Sequence, residues 1–344
     1  MRRLLIGLES GSPAWTIPAA EVERLRADFP DVRVTNARSD EELAASMAEA
    51  EILFSWAVGD DLLRRAAGLR WIHAPSAGVG AFLTPSVRER RVTVTNSRGC
   101  HAVPIAEHVL GMLLALARQL RPALEEQTTT GMLRERWWEG REIPVELSGR
   151  TLGLYGSGAI GREIARLALA CGMRVLALRR HPERPPDWDP ALLRALDLPA
   201  EEPRVHEILG PAGFDRLLAA SDAIVVSAAL TPETEGAFDA RAFSRMKQGA
   251  WFVNIARGKI AREADLIEAL RGGRLGGAGL DVFEKEPLPR ESALYALPNV
   301  ILTPHVAGLS TGFWPREMAL FRENLRRDAA GEPLLNLVSH ERGY

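Results

Sequence analysis

The chain has 344 residues, more than a typical single domain, so we expect two domains that each bury a core. Its 43 basic and 45 acidic residues give a net charge of −2, so charge offers no general attraction to nucleic acid or to an anionic membrane. The two cysteines, Cys100 and Cys171, lack metal-ligand spacing, and no stretch has the length and apolar character of a leader peptide or a membrane span. These observations predict a cytoplasmic protein with no bound metal, no nucleic-acid partner and no membrane segment.

The first hundred residues alternate short apolar runs with helical patterns. The first strand is expected at Leu4–Leu8, and an amphipathic helix is expected at Ala19–Asp28. The remaining strand candidates are Val32–Val34, Ile52–Phe54, Trp71–Ile72 and Val92–Val94, with a helical stretch at Asp40–Ala48. This alternation predicts a small α/β domain. Because it contains no G-x-G-x-x-G turn, we do not expect it to bind a nucleotide.

A glycine-containing loop, Ser76-Ala77-Gly78, follows one of these strands. Such a loop offers backbone N–H groups to a carboxylate, although the residues fit a plain connection equally well. We therefore treat this loop as a candidate site for an anionic substrate.

A long apolar helix is predicted from Pro104 to about Arg118. A helix that is apolar around so much of its circumference is buried, either between domains or against a second subunit. The segment that follows, 127–147, is loop-like and contains Trp137 and Trp138, which are typical of an interface but also of a core. We therefore expect a homodimer.

The stretch Thr151–His181 predicts a strand, a glycine turn, a helix and a second strand. The turn residues are Gly156, Ser157, Gly158, Ala159, Ile160 and Gly161, which have the G-x-G-x-x-G spacing. In this context the glycines permit a tight exit from the strand, close approach of the backbone to a pyrophosphate, and close packing of the helix. The segment therefore predicts a dinucleotide-binding unit.

The end of the second strand bears on the choice of dinucleotide. NAD-binding versions of the turn usually place an acidic residue there for the ribose 2′-hydroxyl, whereas this chain has Arg179 and Arg180. Guanidinium groups bind a phosphate bidentately, and a carboxylate would repel it. The sequence therefore predicts a preference for NADP(H) over NAD(H), with two arginines at the end of an exposed strand as the alternative.

The chain then enters a proline- and acid-rich insertion, 182–211, in which we expect one short helix at Ala191–Leu196. The later strand candidates are Ala223–Val226, Ala250–Ile255, Gly279–Val282 and Val300–Leu302, and the later helices are Arg241–Met246 and Ala264–Leu270. This alternation predicts a parallel sheet with helices between its strands.

Residues that suit chemistry cluster at the ends of these later strands. The segments are Asn254–Gly258, Gly279–Phe283, Glu284–Pro287 and Thr303–Gly308. Because ligands of an open parallel sheet bind beyond the carboxyl ends of its strands, we expect these segments to form one site.

Reduction of a 2-oxo acid needs a cation for the carboxylate, a proton donor for the forming alkoxide and a group that orients the donor. Arg257 suits the first role, His305 the second and Glu286 the third. Asp281 is a candidate acceptor for the nicotinamide amide, and Ile255 is a candidate for the cofactor pocket. Taken singly, each charged residue is as well explained as a surface charge or a structural side chain. Their shared position at strand ends favours a site.

Five motifs resemble those of the D-isomer-specific 2-hydroxyacid dehydrogenases. They are GSGAIG at 156–161, LTPETEG at 230–236, MKQGAWFVNIARG at 246–258, GLDVFEKEPLP at 279–289 and TPHVAG at 303–308. In that family the arginine of the ARG segment, the last glutamate of DVFxxEP and the histidine of TPH form the catalytic set. The resemblance assigns these roles to Arg257, Glu286 and His305.

The resemblance also implies the fold, which is α/β with two doubly wound parallel-sheet domains of Rossmann or flavodoxin-like type and the active site in the cleft between them. Residues 1–100 and 307–344 are expected to form the substrate domain, and residues 101–306 the NAD(P)-binding domain. A last helix near Trp314–Ala329 returns the chain to the first domain. The substrate loop of the family matches Ser76-Ala77-Gly78, whose backbone would hold the carboxylate.

The arginine at the ribose position is similar to the glyoxylate and hydroxypyruvate reductase branch, and implies NADPH. In some of those reductases a tryptophan reaches into the partner's active site, as Trp137 or Trp138 would here. Gly80 stands where an aspartate often follows the loop glycine, and the insertion is longer than common, so the substrate stays open. The resemblance implies a reductase of small 2-oxo acids to D-2-hydroxy acids, with glyoxylate or hydroxypyruvate foremost. The alternatives are a corepressor-like or redox-sensing NAD(P)-binding protein and a phosphite- or formate-type dehydrogenase.

Overall fold

Strands and helices alternate along the chain in the computed structural model, which describes residues 1–129, 137–139, 143–184 and 188–341. The strands are β1 (Arg2–Gly7), β2 (Val32–Asn36), β3 (Ile52–Ser55), β4 (Trp71–Ala74), β5 (Thr93–Asn96), β6 (Thr151–Tyr155), β7 (Arg174–Leu178), β8 (Glu207–Leu209), β9 (Ala223–Val226), β10 (Ala250–Asn254), β11 (Leu275–Leu280) and β12 (Val300–Leu302). The helices are α1 (Ala19–Asp28), α2 (Asp40–Ser46), α3 (Asp60–Arg65), α4 (Pro85–Glu89), α5 (Ala102–Ala117), α6 (Leu120–Thr129), α7 (Ala159–Ala170), α8 (Pro190–Ala195), α9 (Phe214–Ala220), α10 (Ala240–Arg245), α11 (Glu263–Arg271) and α12 (Phe313–Ala330).

The chain divides into two compact units. The first comprises Met1–Cys100, Asp187–Ala200 and Leu309–Tyr344, and the second comprises His101–Pro186 and Glu201–Gly308. The sequence prediction placed α8 in the nucleotide domain, but α8 groups with the first unit. There Leu192 and Leu193 are buried, and Asp189 pairs with Arg327 of α12 at 3.1 Å. Because that partner lies far away in sequence, no local pattern indicates this packing.

The first unit contains a five-stranded sheet in the order β2-β1-β3-β4-β5. Neighbouring strands in this sheet run parallel, and Leu4 of β1 lies opposite Val34 on one side and Ile52 on the other. Strands β3 and β4 are buried along their whole length, as expected for apolar runs covered on both faces. Helix α12 covers part of this sheet, with the Phe321 ring 4.2 Å from the Phe54 ring. The order is that of a flavodoxin-like sheet.

The second unit contains a seven-stranded parallel sheet in the order β12-β11-β10-β9-β6-β7-β8. The strand order reverses beside β6, which is where a doubly wound sheet opens its crevice. Helices α5 and α7 share a core with the middle strands, in which Val109, Ile164 and Val253 are buried. The two parallel sheets confirm the predicted α/β class.

The apolar helix α5 buries a broad face in the second unit, including Met112 and Leu113, whereas Leu114 is exposed. The buried face agrees with the sequence prediction of a largely covered helix. Within the described ranges, no helix alone is long and apolar enough to cross a membrane. The pair α5 and α6, bent by 66°, meets that standard by length and composition only.

The short helices α3, α4 and α9 were not predicted, and three further elements differ from the sequence predictions. The segment 127–147 was expected to be a loop, but its first residues belong to α6, which ends at Thr129. Pro122 does not break this helix, because it lies in the first turn, where proline is tolerated. The insertion contributes the edge strand β8, whose three residues are too few to show a period. Strand β11 begins at Leu275 and ends at Leu280, before Asp281, whereas the sequence predicted a strand at Gly279–Val282. The prediction missed the start of the strand because Gly276 and Gly277 conceal its apolar pattern.

Candidate active site

The glycine turn of the second unit joins β6 to α7. Gly156 has a φ of 106°, and a Cβ there would lie 2.6 Å from the backbone nitrogen of Ala228, so only glycine fits. Ser227 donates a hydrogen bond to the Gly156 carbonyl at 2.9 Å and fixes the turn. A Cβ added to Gly158, which caps α7, would meet nothing within 4 Å. The backbone is therefore open on the side where the sequence predicts a pyrophosphate.

The end of β7 brings Arg179 and Arg180 to the edge of the same sheet. Arg179 donates through Nη1 to the Arg184 carbonyl at 3.3 Å, while its Nε is buried and has no hydrogen-bond partner among the described residues. Arg180 lies 3.5 Å from a carboxylate oxygen of Glu233, and both side chains are more than half exposed. The position that would bind a ribose hydroxyl through an acid is thus cationic.

Arg257 lies in a tight turn directly after β10. The buried Asn254 side chain ties the turn together, since its amide donates to the Arg257 carbonyl at 3.0 Å and its oxygen accepts from the Ala256 N–H at 3.1 Å. A Cβ at Gly258 would lie 1.8 Å from the carbonyl carbon of Phe283. The absence of a side chain at Gly258 therefore allows the Arg257 turn to lie against the backbone that leads to Glu286.

His305 and Glu286 form a direct pair. His305 Nδ1 lies 2.7 Å from Glu286 Oε2, and Glu286 Oε1 accepts from the Phe283 N–H at 3.1 Å. Their side chains are 50% and 36% exposed, so both are accessible to a ligand. Because Nδ1 faces the carboxylate, Nε2 is the ring nitrogen that remains for proton transfer.

Glu286 is held in its ionised form by its surroundings. Its partial burial opposes ionisation, but the hydrogen bonds from His305 and the Phe283 N–H, together with the charges of His305 and Arg257, outweigh burial and lower the pKa of Glu286. The electrostatics thus connect the three residues that the sequence singled out.

The backbone of His305 has a φ of 55°, in the left-handed region. A side chain there costs roughly 1 kcal/mol or more, so the surrounding structure must hold it. Asp281, which is 1% exposed, accepts from the Val306 and Ala307 N–H groups at 2.9 Å each, and its carbonyl accepts from the His305 N–H at 2.9 Å. The same carboxylate accepts from the Thr303 hydroxyl at 2.6 Å. Asp281 therefore fixes the loop that carries His305.

The sequence profile described as "D-isomer specific 2-hydroxyacid dehydrogenase, NAD binding domain" matches residues 110–307. The chain belongs to the D-isomer-specific 2-hydroxyacid dehydrogenase family.

Individual relatives agree with this assignment. A D-3-phosphoglycerate dehydrogenase from Archaeoglobus fulgidus is 31% identical over 321 residues, which cover 92% of this chain and 57% of the relative. A hydroxypyruvate reductase from Thermotoga maritima is 32% identical over 307 residues, which cover 87% of this chain and 92% of the relative. The chain therefore spans little more than half of the first relative and most of the second.

A solved structure is also similar to this chain. An NADPH-dependent glyoxylate/hydroxypyruvate reductase from Sinorhizobium meliloti, in complex with NADP and sulfate, aligns with a TM-score of 0.77 and 27% identity. The alignment covers 100% of both chains.

The remaining site predictions for this family member fall in different places. Ile255 is buried directly after β10 and is part of the core shared with α5. The Ser76-Ala77-Gly78 loop belongs to the first unit, where Ser76 donates to the Gly78 carbonyl at 2.7 Å and Asn96 donates to the Ala77 carbonyl at 2.9 Å. The contacts of Asp281 with a nicotinamide and of the loop with a carboxylate stay predictions.

Sequence reasoning missed His108. Its Nε2 lies 3.0 Å from the hydroxyl of Thr303, two residues before His305. The only sequence signal is a histidine within the apolar pattern of α5, and a lone histidine there is usually a structural residue. The contact of His108 with Thr303 in the folded chain is what makes His108 a candidate site residue.

Proposed function

We propose that this protein is an NADPH-dependent reductase of small 2-oxo acids that forms D-2-hydroxy acids. The observation that carries the proposal is the 2.7 Å contact between His305 Nδ1 and Glu286 Oε2, with the positive charge of Arg257 acting on the same carboxylate. These groups together offer a carboxylate-binding cation and an oriented proton donor, which reduction of a 2-oxo acid requires.

NADPH, when bound, supplies the hydride that adds to the carbonyl carbon of the substrate. Arg257 binds the substrate carboxylate through its planar fork and polarises the adjoining carbonyl group. His305 donates the proton from Nε2 to the oxygen of the forming alkoxide. Glu286 keeps Nδ1 protonated, orients the ring and stabilises the imidazolium before the transfer. The carbonyl thus receives a hydride at carbon and a proton at oxygen, and becomes a hydroxyl group.

The preference for NADPH is supported by the two arginines at the end of β7. Arg179 carries a buried Nε without a hydrogen-bond partner among the described residues, and a phosphate oxygen would satisfy it. The ribose position holds no carboxylate that would repel the 2′-phosphate. The similar reductase from Sinorhizobium meliloti has NADP in its crystal structure.

The proposal is tested by NADPH oxidation with glyoxylate, hydroxypyruvate, pyruvate, bulkier 2-oxo acids and a phosphorylated 2-oxo acid. We expect the highest kcat/KM for glyoxylate or hydroxypyruvate. His305→Ala should lower kcat by about 10²- to 10⁴-fold, because the general acid is lost. Turnover of His305→Ala within about threefold of wild type would refute the mechanism, and nucleotide binding without turnover on any 2-oxo acid would favour a corepressor-like protein.

We further infer that the protein is a homodimer. Around α6 the side chains of Leu120, Leu124 and Trp138 are 46%, 61% and 75% exposed, which is unusual for large apolar residues of one unit. Trp137 is half-buried and donates to Glu126 at 3.1 Å, so Trp138 is the better candidate for contact with a partner. Light scattering should give twice the chain mass for wild type and a smaller mass for Leu124→Asp, whereas a monomeric wild type would contradict the inference.

A further inference from the structure

A chain of hydrogen bonds runs from α5 to the loop that carries His305. His108 Nε2 lies 3.0 Å from Thr303 Oγ1, and Thr303 Oγ1 donates to Asp281 Oδ1 at 2.6 Å. Because a hydroxyl has only one hydrogen, and Thr303 gives it to Asp281, the remaining contact must be a donation from His108 Nε2 to Thr303. The chain therefore has one direction, from imidazole to hydroxyl to carboxylate.

Asp281 connects this chain to His305. Its two carboxylate oxygens accept from the Val306 and Ala307 N–H groups at 2.9 Å each, directly after His305. Asp281 Oδ1 serves both the Thr303 hydroxyl and the Val306 N–H, so the orientation of the Thr303 hydroxyl helps to set the orientation of the carboxylate. The left-handed backbone of His305 depends on that carboxylate remaining in place.

We propose that His108 and Thr303 are positioning residues, which hold the Asp281 carboxylate so that His305 stays aimed with Nδ1 on Glu286. This inference rests on the proposed function, because positioning matters for catalysis only if His305 is the proton donor. His108 reaches this site from a helix whose buried residues around it are apolar, so a structural role alone would be met equally well by an apolar side chain. The hydrogen bond is what an apolar side chain cannot provide.

Paired variants separate the hydrogen bonds from packing. Thr303→Val keeps the shape of the side chain and removes the hydroxyl, and Thr303→Ser keeps the hydroxyl. His108→Leu removes the donor, and His108→Gln retains an N–H at about the position of Nε2. Thr151→Val is the control, because Thr151 begins β6 in the same unit and its hydroxyl makes no hydrogen bond to any described residue.

We expect Thr303→Val and His108→Leu to lower kcat by about 10- to 100-fold, because a small displacement of His305 misaligns the proton donor. Thr303→Ser and His108→Gln should recover kcat to within about threefold of wild type, and Thr151→Val should not lower it. KM for NADPH should change less than kcat. Serine and glutamine variants as impaired as the valine and leucine variants would overturn the proposal, because packing would then explain the loss.

A second measurement does not depend on turnover. Nitrogen-15 spectra of the histidine rings, assigned by loss of the His305 signals in His305→Ala, report whether Nδ1 of His305 remains bonded to a carboxylate. We expect that signal to move in Thr303→Val and His108→Leu towards its value in Glu286→Gln, and to stay unchanged in Thr151→Val. Unchanged His305 signals together with wild-type kcat in both disruptive variants would overturn the proposal. If the wild-type protein reduces no 2-oxo acid, the proposed function fails, and these spectra still decide whether the chain positions His305.

Discussion

Gly258→Ala is expected to abolish most of the activity, because the Arg257 turn has no room for a side chain at the next position. A Cβ at residue 258 would lie 1.8 Å from the carbonyl carbon and 2.0 Å from the carbonyl oxygen of Phe283, and 2.4 Å from the Glu284 nitrogen. Every one of these atoms is backbone, so no side-chain rotation relieves the overlap. The two segments must therefore move apart.

The size of the movement follows from the structure. Non-bonded carbon atoms approach to about 3.5 Å, so a contact of 1.8 Å has to lengthen by roughly 1.7 Å. A misplacement of about 1 Å in a catalytic group costs about 10²-fold in rate. We therefore expect kcat/KM for the 2-oxo acid to fall by at least about 100-fold, equivalent to about 2.7 kcal/mol of transition-state stabilisation.

Steady-state kinetics and thermal unfolding, measured together, test this prediction. Gly59→Ala is a matched control, because Gly59 has a φ of −65° and a Cβ there would meet nothing within 4 Å. If Gly258→Ala unfolds, Arg257→Lys tests the same group without the overlap, since it removes the bidentate fork while leaving the backbone unchanged. A Gly258→Ala protein with native melting behaviour and kcat/KM within about threefold of wild type would refute the reasoning.

Three further results are expected. Arg179→Asp should reverse the ratio of kcat/KM for NADPH to that for NADH, because a carboxylate repels a 2′-phosphate and accepts from a ribose hydroxyl; an unchanged preference for NADPH would remove the phosphate role from Arg179. Glu286→Gln should lower kcat by roughly tenfold or more. Because the pKa of wild-type Glu286 is lowered below its usual 4.5, protonation of Glu286 should not reduce kcat between about pH 5 and 7. A decrease of wild-type kcat in that pH range that is missing in Glu286→Gln would contradict this expectation. Asp328→Asn should cost about 2 kcal/mol of unfolding free energy near neutral pH, since Asp328 is nearly buried and binds Arg70 and Arg2. Burial opposes ionisation of Asp328, but the two arginines outweigh burial and lower its pKa below 3.8. The unfolding free energy lost in Asp328→Asn should therefore become smaller as the pH falls through the pKa of Asp328 in the folded protein. Urea titrations that give the same loss of unfolding free energy near about pH 7 and near about pH 3 would refute this.

The position of the exposed candidate residues at strand ends could be predicted from the sequence, because the expected chemistry requires particular residue types there. Arg257, Glu286 and His305 follow β10, β11 and β12, whose parallel register places their carboxyl ends along one edge of the sheet. Periodicity located β10 and β12 but only the end of β11, where two glycines conceal the pattern, and it missed β8, since three residues show no period.

Hydrophobic periodicity could not predict the hydrogen-bond contacts of the buried polar residues behind the site. Asp281 is 1% exposed, and its carboxylate accepts three hydrogen bonds from the loop that carries His305, contacts that the pattern around Asp281 does not indicate. The histidine in the apolar pattern of α5 did not identify the contact of His108, because its partner Thr303 lies 195 positions away along the chain. Such contacts depend on which helix packs behind which strand, and a single sequence records that packing only as apolar character.

The same buried residues explain how exposed side chains can be aimed precisely. Asn254 and Asp281 follow the neighbouring strands β10 and β11, and the Asp281 N–H donates to the Asn254 carbonyl at 3.0 Å. The Asn254 side chain then fixes the Arg257 turn, and the Asp281 side chain fixes the His305 loop. Because both anchors are almost fully buried, each needs its hydrogen-bond partners to offset its desolvation, so each loop is held in the one conformation that supplies them. The relative position of the guanidinium and the imidazole is therefore set by the sheet itself rather than by contacts between the two exposed groups.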